Sequence, residues 1–151
     1  MKMVIQRVAA ASVDIDGKTA GEIGKGYLVL LGVGEGDTES IAEKMVDKLF
    51  RLRIFEDENG KTNLSAESVG AEILVVSQFT LYASCKKGNR PSFTDAADPA
   101  LAKELYEKFI SLCESRFSKT GHGEFGADMR VSLVNDGPFT VILDSNELNI
   151  V

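Results

Sequence analysis

Two strand-like runs, Val131 to Val134 and Phe139 to Leu143, are separated by Asn135-Asp136-Gly137-Pro138, and this interruption sets the tightest limit on the fold. Proline has no N–H to give to a β-ladder and is confined to edges, strand starts and bulges. Gly137-Pro138 therefore leaves backbone carbonyls pointing away from a sheet. A related segment is Ser77-Gln78-Phe79-Thr80-Leu81, where the apolar run Ile73-Leu74-Val75-Val76 gives way to polar positions. By its pattern alone Gly137-Pro138 is an ordinary trans turn, since only about 5–6% of X-Pro bonds are cis. Ser77 to Thr80 alone reads either as a polar strand end with Phe79 in the core, or as amides and hydroxyls free to meet a developing oxyanion.

The remaining pattern supplies the scaffold. Met3 to Ile15 reads as a strand, with Asp16-Gly17 as a hairpin turn and Thr19 to Ile23 returning. Tyr27 to Val33 reads as a buried strand. Asp37 or Thr38 caps a helix to about Leu52, on which Ile41, Met45 and Leu49 recur every four residues. Arg53-Ile54-Phe55 is a short strand before the turn Asp57 to Gly60. Glu72 to Tyr82 reads as a long strand. Asp98-Pro99 is a strong helix start, with Leu101, Leu105, Phe109 and Leu112 striping the helix to about Arg116. Ser118 to Gly123 reads as a polar loop, and Ala127, Met129, Val131 and Leu133 alternate as in a half-buried strand. The expectation is a single α/β domain, residues 1–145, with a tail over 146–151. Its sheet is curled, mixed and barrel-like, in β/β/α layers, with two main helices on one face.

Length and charge narrow the function. A chain of 151 residues suits one domain and needs no disulfide or metal to complete a core. No apolar run approaches the roughly 20 residues of a membrane helix, and Gln6 and Arg7 interrupt any signal-peptide core, so the expected location is cytoplasmic. A net charge of −6 argues against a general nucleic-acid coat protein. It leaves room for a local basic patch, Lys86-Lys87-Gly88-Asn89-Arg90.

Familiar chemistries fit poorly. Gly32-Val33-Gly34-Glu35-Gly36 has G-x-G-x-G rather than G-x-G-x-x-G spacing, and Glu35 and Asp37 put negative charge where a pyrophosphate would sit, so it reads as a tight connection. His122, the only histidine, lies in a glycine-flanked segment unsuited to a Ser-His-Asp site, and with two scattered cysteines it gives no zinc set. Cys85, beside Lys86 and Lys87, and Cys113 read as bystander thiols. No cofactor or metal is expected. An enzyme built from this chain must draw on backbone donors, hydroxyls or its own substrate.

Five segments in order then carry a resemblance over almost the whole chain: Gln6-Arg7-Val8; Val76-Ser77-Gln78-Phe79-Thr80-Leu81; Lys87-Gly88-Asn89-Arg90-Pro91-Ser92-Phe93; Gly126-Ala127-Asp128-Met129; and Val134-Asn135-Asp136-Gly137-Pro138-Phe139-Thr140. The chain resembles the bacterial-type D-aminoacyl-tRNA deacylases, with Phe139 where valine is common. The resemblance implies a hydrolase that cleaves the ester between a D-amino acid and the 3′-terminal adenosine of tRNA, with glycyl-tRNA as a side substrate. It implies a homodimer with active sites at the subunit interface. A cis Gly137-Pro138 of one subunit enters the other's pocket and leaves no room for an L side chain. Backbone N–H groups of Gln78 and Phe79 are expected at the ester carbonyl. Ser77 and Thr80 shape the pocket, and the substrate 2′-OH helps activate water. Met129 and Asn135 are expected near the substrate, and Lys86, Lys87 and Arg90 near the tRNA, with no DNA and no membrane partner. The alternative is a tRNA-end binding module without catalysis.

Overall fold

The computed structural model describes residues Met1–Val151. β1 (Lys2–Ile15) turns through Asp16-Gly17 into β2 (Lys18–Ile23), and the chain resumes past Gly24-Lys25 as β3 (Gly26–Gly32). Asp16 and Gly17 have φ of 51° and 74°, the left-handed pair that an Asp-Gly hairpin turn requires. One edge of β1 is thus shared, with β3 pairing to Lys2–Val8 and β2 to Ala11–Ile15. β8 (Arg130–Asp144) runs antiparallel along the other edge of β1.

Beyond β3 come α1 (Glu39–Arg51), the side hairpin β4 (Arg53–Glu56) and β5 (Thr62–Ser65), the one-turn α2 (Ala66–Val69), and β6 (Glu72–Ser77). Thr38 caps α1 by accepting from the Ile41 amide. A 3-10 turn, Phe79–Tyr82, leads on to α3 (Pro99–Glu114), whose Asp98 cap accepts from the Ala100 amide at 2.9 Å. β6 lies parallel to β3, and β7 (Thr120–His122) parallel to β6. The sheet runs β2-β1-β3-β6-β7 and curls until β2 meets β7. There a Cβ on Gly21 would stand 2.9 Å from the His122 backbone, so only glycine allows the barrel to come this near closure.

Alternate residues of each strand feed two cores, as the two-residue strand period demands. Tyr27, Val29, Leu31, Ile73 and Val75 face α1 and α3 in the larger core. Leu28, Leu74 and Val76 join Val8, Val13 and Ile23 inside the curl. Both long helices therefore cover one face.

Four local readings change. The strand expected to reach Tyr82 stops at Ser77, because its partner β3 ends at Gly32 and no carbonyl remains to pair with. Thr120 to His122, expected in a loop, pairs with Ile73–Val75 along the free edge of β6. The two runs around Gly137-Pro138 are one strand, β8, with four residues bulging out opposite Arg7. Residues 146–150 fold back, with Leu148 and Ile150 against the larger core and the Ile150 amide donating to Ser145. The Gly32–Gly36 loop is a tight connection, as its spacing implies. The Asp37 carboxylate accepts from the Gly34 amide at 2.7 Å and from the buried Met1 ammonium at 2.5 Å.

Candidate active site

β6 delivers its last residues to a cavity of about 660 Å³. Val76, Ser77, Gln78 and Phe79 form one wall, and Phe125, Ala127, Met129 and Val131 form another. The segment from Phe93 to Ala102 closes a third side. No ionisable side chain lines it. Its chemistry is confined to amides, carbonyls and hydroxyls set in an apolar surround.

The turn after Ser77 decides which amides are free. The Gln78 N–H makes the last rung of the sheet, donating to the Leu31 carbonyl at 2.8 Å. Its expected place at an ester carbonyl is therefore corrected, since that proton is already committed. The amides of Phe79 and Thr80 head the 3-10 turn, where no preceding turn supplies an acceptor. The Gln78 side chain turns inward on the same motif, its Nε2 donating to Thr80 Oγ1 at 2.5 Å. Phe79 does not enter the core. It is 55% exposed and meets Phe93 edge to face, ring centroids 5.1 Å apart.

The opposite wall hangs from α3. The buried Tyr106 hydroxyl lies 3.0 Å from the Val75 carbonyl and 3.3 Å from that of Gly123, and burial pushes its pKa well above the phenol range. It thereby joins β6, two residues before Ser77, to the start of the loop that carries Phe125 and Met129.

Asn135, Gly137 and Pro138 do not line the cavity of their own chain. The Gly137-Pro138 peptide is cis and both residues are exposed. Polar anchors fix the bulge from below. Asn135 Nδ2 donates to the Arg7 and Phe139 carbonyls at 2.9 and 3.0 Å, and its Oδ1 accepts from the Phe139 amide at 3.3 Å. Buried Arg7 donates through Nε to the Asp136 carbonyl at 3.0 Å and through a terminal nitrogen to that of Ile54 at 2.7 Å. Its guanidinium also covers the Phe139 ring at 4.7 Å. Gly137 has φ of 148°, and a Cβ there would stand 2.7 Å from the Phe139 amide, so no side chain fits.

Lys86, Lys87 and Arg90 sit on an exposed loop beyond Tyr82, beside Phe93 rather than in the cavity. The His122 ring bonds only the neighbouring Gly123 carbonyl, at 2.7 Å. Cys85 is exposed and Cys113 is buried in the larger core. The anchoring role of Arg7 is not among the sequence expectations. Besides its place in the Gln6-Arg7-Val8 segment, its signal is a cation inside the strand Met3 to Ile15, a position that demands partners.

The model of the family described as D-Tyr-tRNA(Tyr) deacylase matches residues 4–144. The chain belongs to that family. The match spans both the Ser77–Thr80 turn and the Gly137-Pro138 bulge, and bears out the resemblance carried by the five segments. A D-aminoacyl-tRNA deacylase of Lactobacillus acidophilus is 59% identical over 144 residues, 95% of this chain and 99% of the relative. A solved structure named c-Myc DNA Unwinding Element Binding Protein is 43% identical with a TM-score of 0.90, covering 96% of this chain and 99% of that one. Another, of a probable eukaryotic D-amino acid tRNA deacylase, shares the fold at a TM-score of 0.81 and 19% identity, over 95% and 98% of the two chains. D-Tyr-tRNA(Tyr) deacylase family membership thus rests on sequence across nearly the full chain, and the curled sheet is the family's fold.

Proposed function

We propose that this chain hydrolyses the ester joining a D-amino acid to the 3′-terminal adenosine of tRNA. The observation that carries the chemistry is the pair of unpaired amides, of Phe79, which lines an apolar cavity with no ionisable side chain, and of Thr80, the next residue along the turn. Such amides suit a developing oxyanion and cost little reorganisation. The lining offers no base, and the Gln78 amide nitrogen beside Thr80 is a donor that takes no proton. Water activation therefore falls to the substrate. The ribose 2′-OH, next to the ester, relays a proton: it accepts one from the attacking water and passes its own to the departing 3′-oxygen, so that it ends unchanged. The products are the free D-amino acid and a tRNA with a free 3′-OH.

The chirality filter is the Gly137-Pro138 bulge, acting in the cavity of a second copy. Support comes from its exposure, its separation from its own cavity, and its anchoring by Arg7 and Asn135. A fixed backbone wall rejects an L side chain by clash and touches no D side chain, so one site serves many D-amino acids. Glycine has nothing to exclude, which makes glycyl-tRNA a side substrate. The homodimer is further supported by β8, paired on one edge only, with Val134 and Ile142 60% and 68% exposed along it. Met129 lines the substrate's side of the cavity, Ser77 shapes its floor, and Lys86, Lys87 and Arg90 meet tRNA phosphates. The site of action is the cytoplasm, where charged tRNA is used, and no helix is long and apolar enough to cross a membrane.

Release of D-tyrosine from D-Tyr-tRNA at enzyme well below substrate tests the reading. Many turnovers are expected; stoichiometric tRNA binding without release favours a tRNA-end binding module instead.

A further inference from the structure

Phe79 and Phe93 stay out of the core despite their size, at 55% and 36% exposure. They meet edge to face at 66° and both border the cavity. The segment carrying Phe93 is held at both ends. Ser84 and Ser92 exchange backbone hydrogen bonds at 2.7 and 2.9 Å, while the Ala97 amide donates to the Val33 carbonyl at 3.1 Å. The loop closed by the serine pair presents Lys86, Lys87 and Arg90, all exposed and none engaged in an ion pair. In a chain of net charge −6, this is a local reversal: three free cations on the closed loop that leads into Phe93.

That combination matches single-stranded nucleic acid, whose phosphates follow cations and whose open bases stack on aromatic faces. Paired bases in a duplex offer no free face, and an acidic peptide would leave the rings unused. The direction of the strand follows from the cavity: if the esterified nucleotide occupies it, the preceding nucleotides leave past its rim, where the rings stand. We infer that Phe79 and Phe93, with Lys86, Lys87 and Arg90, form a stacking platform for the unpaired nucleotides preceding the terminal adenosine at an RNA 3′ end, a site that rests on the deacylase reading of the adjoining cavity.

The test uses a fluorescent RNA hairpin with an unpaired 3′ tail and the same hairpin with a blunt end, titrated with the full chain. The tailed RNA binds the parent at least about tenfold tighter than the blunt one. Phe93→Ala lowers tail affinity about tenfold without changing its salt dependence, and Phe93→Tyr, which keeps a ring, retains it. The triple variant Lys86→Gln, Lys87→Gln, Arg90→Gln lowers the slope of log affinity against log salt by about 2, at ~0.7 for each phosphate no longer neutralised. Equal affinity for tailed and blunt RNA, or an unchanged tail affinity in Phe93→Ala, overturns the platform. Parent hydrolysis of D-Tyr-tRNA is read in parallel. Hydrolysis without Phe93-dependent tail binding removes the platform and leaves the deacylase reading. Phe93-dependent tail binding without hydrolysis does the reverse.

Discussion

Thr80 is exposed, one residue past the cavity lining, and its hydroxyl oxygen accepts from Gln78 Nε2, so its own proton is free to be donated elsewhere. On the proposed mechanism Thr80 acts as a donor rather than a nucleophile, because no base beside it removes the proton. Thr80→Ala is therefore expected to lower kcat for D-Tyr-tRNA by about 10²-fold, the size of one lost oxyanion-type donor. Thr80→Ser should recover most of it. Complete loss in Thr80→Ala with intact tRNA binding would instead make Thr80 the nucleophile. Replacing the terminal adenosine by its 2′-deoxy form should cut the rate by about 10²-fold or more, the scale of general acid–base assistance; an unchanged rate would remove the substrate from the mechanism. Asn135 acts on the other segment. Its amide makes three hydrogen bonds within and beneath the bulge, and Asn135→Ala should cost about 1–3 kcal/mol of stability, read from denaturant midpoints. The same variant should raise hydrolysis of L-Tyr-tRNA relative to D-Tyr-tRNA, because the wall is then less firmly held.

At the scale of elements, what matters is where strands stop and what hangs from them. β6 stops at Ser77 because β3 runs out, and the freed amides one and two residues beyond Gln78 are the result. The opposite wall is set by Gly123, where an added Cβ would fall on the Met129 sulfur. A thioether at the end of a flexible side chain moves more easily than backbone, so Gly123→Ala should fold. It should push Met129 into the cavity and raise KM more than it lowers kcat, as measured with D-Tyr-tRNA. The long elements are legible in the sequence because their signals are strong: the Val- and Ile-rich run and Asp16-Gly17 turn of β1, the four-residue repeat and Thr38 cap of α1, and Asp98-Pro99 before α3. β7 is not, because its three residues are a strand only by pairing with β6. The identity of the free amides is not legible either, since it depends on where the neighbouring strand ends. Phe79 reads from the sequence as the core residue of a polar strand end, and only the fold shows it exposed against Phe93 at the cavity. Arg7 needs the fold to bring Ile54 and Asp136 to either side of it.

The whole molecule divides the proposed activity between two surfaces. The cavity with its free amides lies on one, and the Gly137-Pro138 bulge lies on another, outside the cavity's lining. A chain acting alone would have the means to hydrolyse an ester and no wall to select its hand. On the proposed reading a second copy joins the two functions, and sedimentation should then give about twice the chain mass at working concentration. The decisive experiment is hydrolysis of matched D-Tyr-tRNA and L-Tyr-tRNA, with enzyme well below substrate. Rapid loss of the D ester and persistence of the L ester are expected. Cleavage of both would contradict the backbone wall, and cleavage of neither would contradict the catalytic site itself.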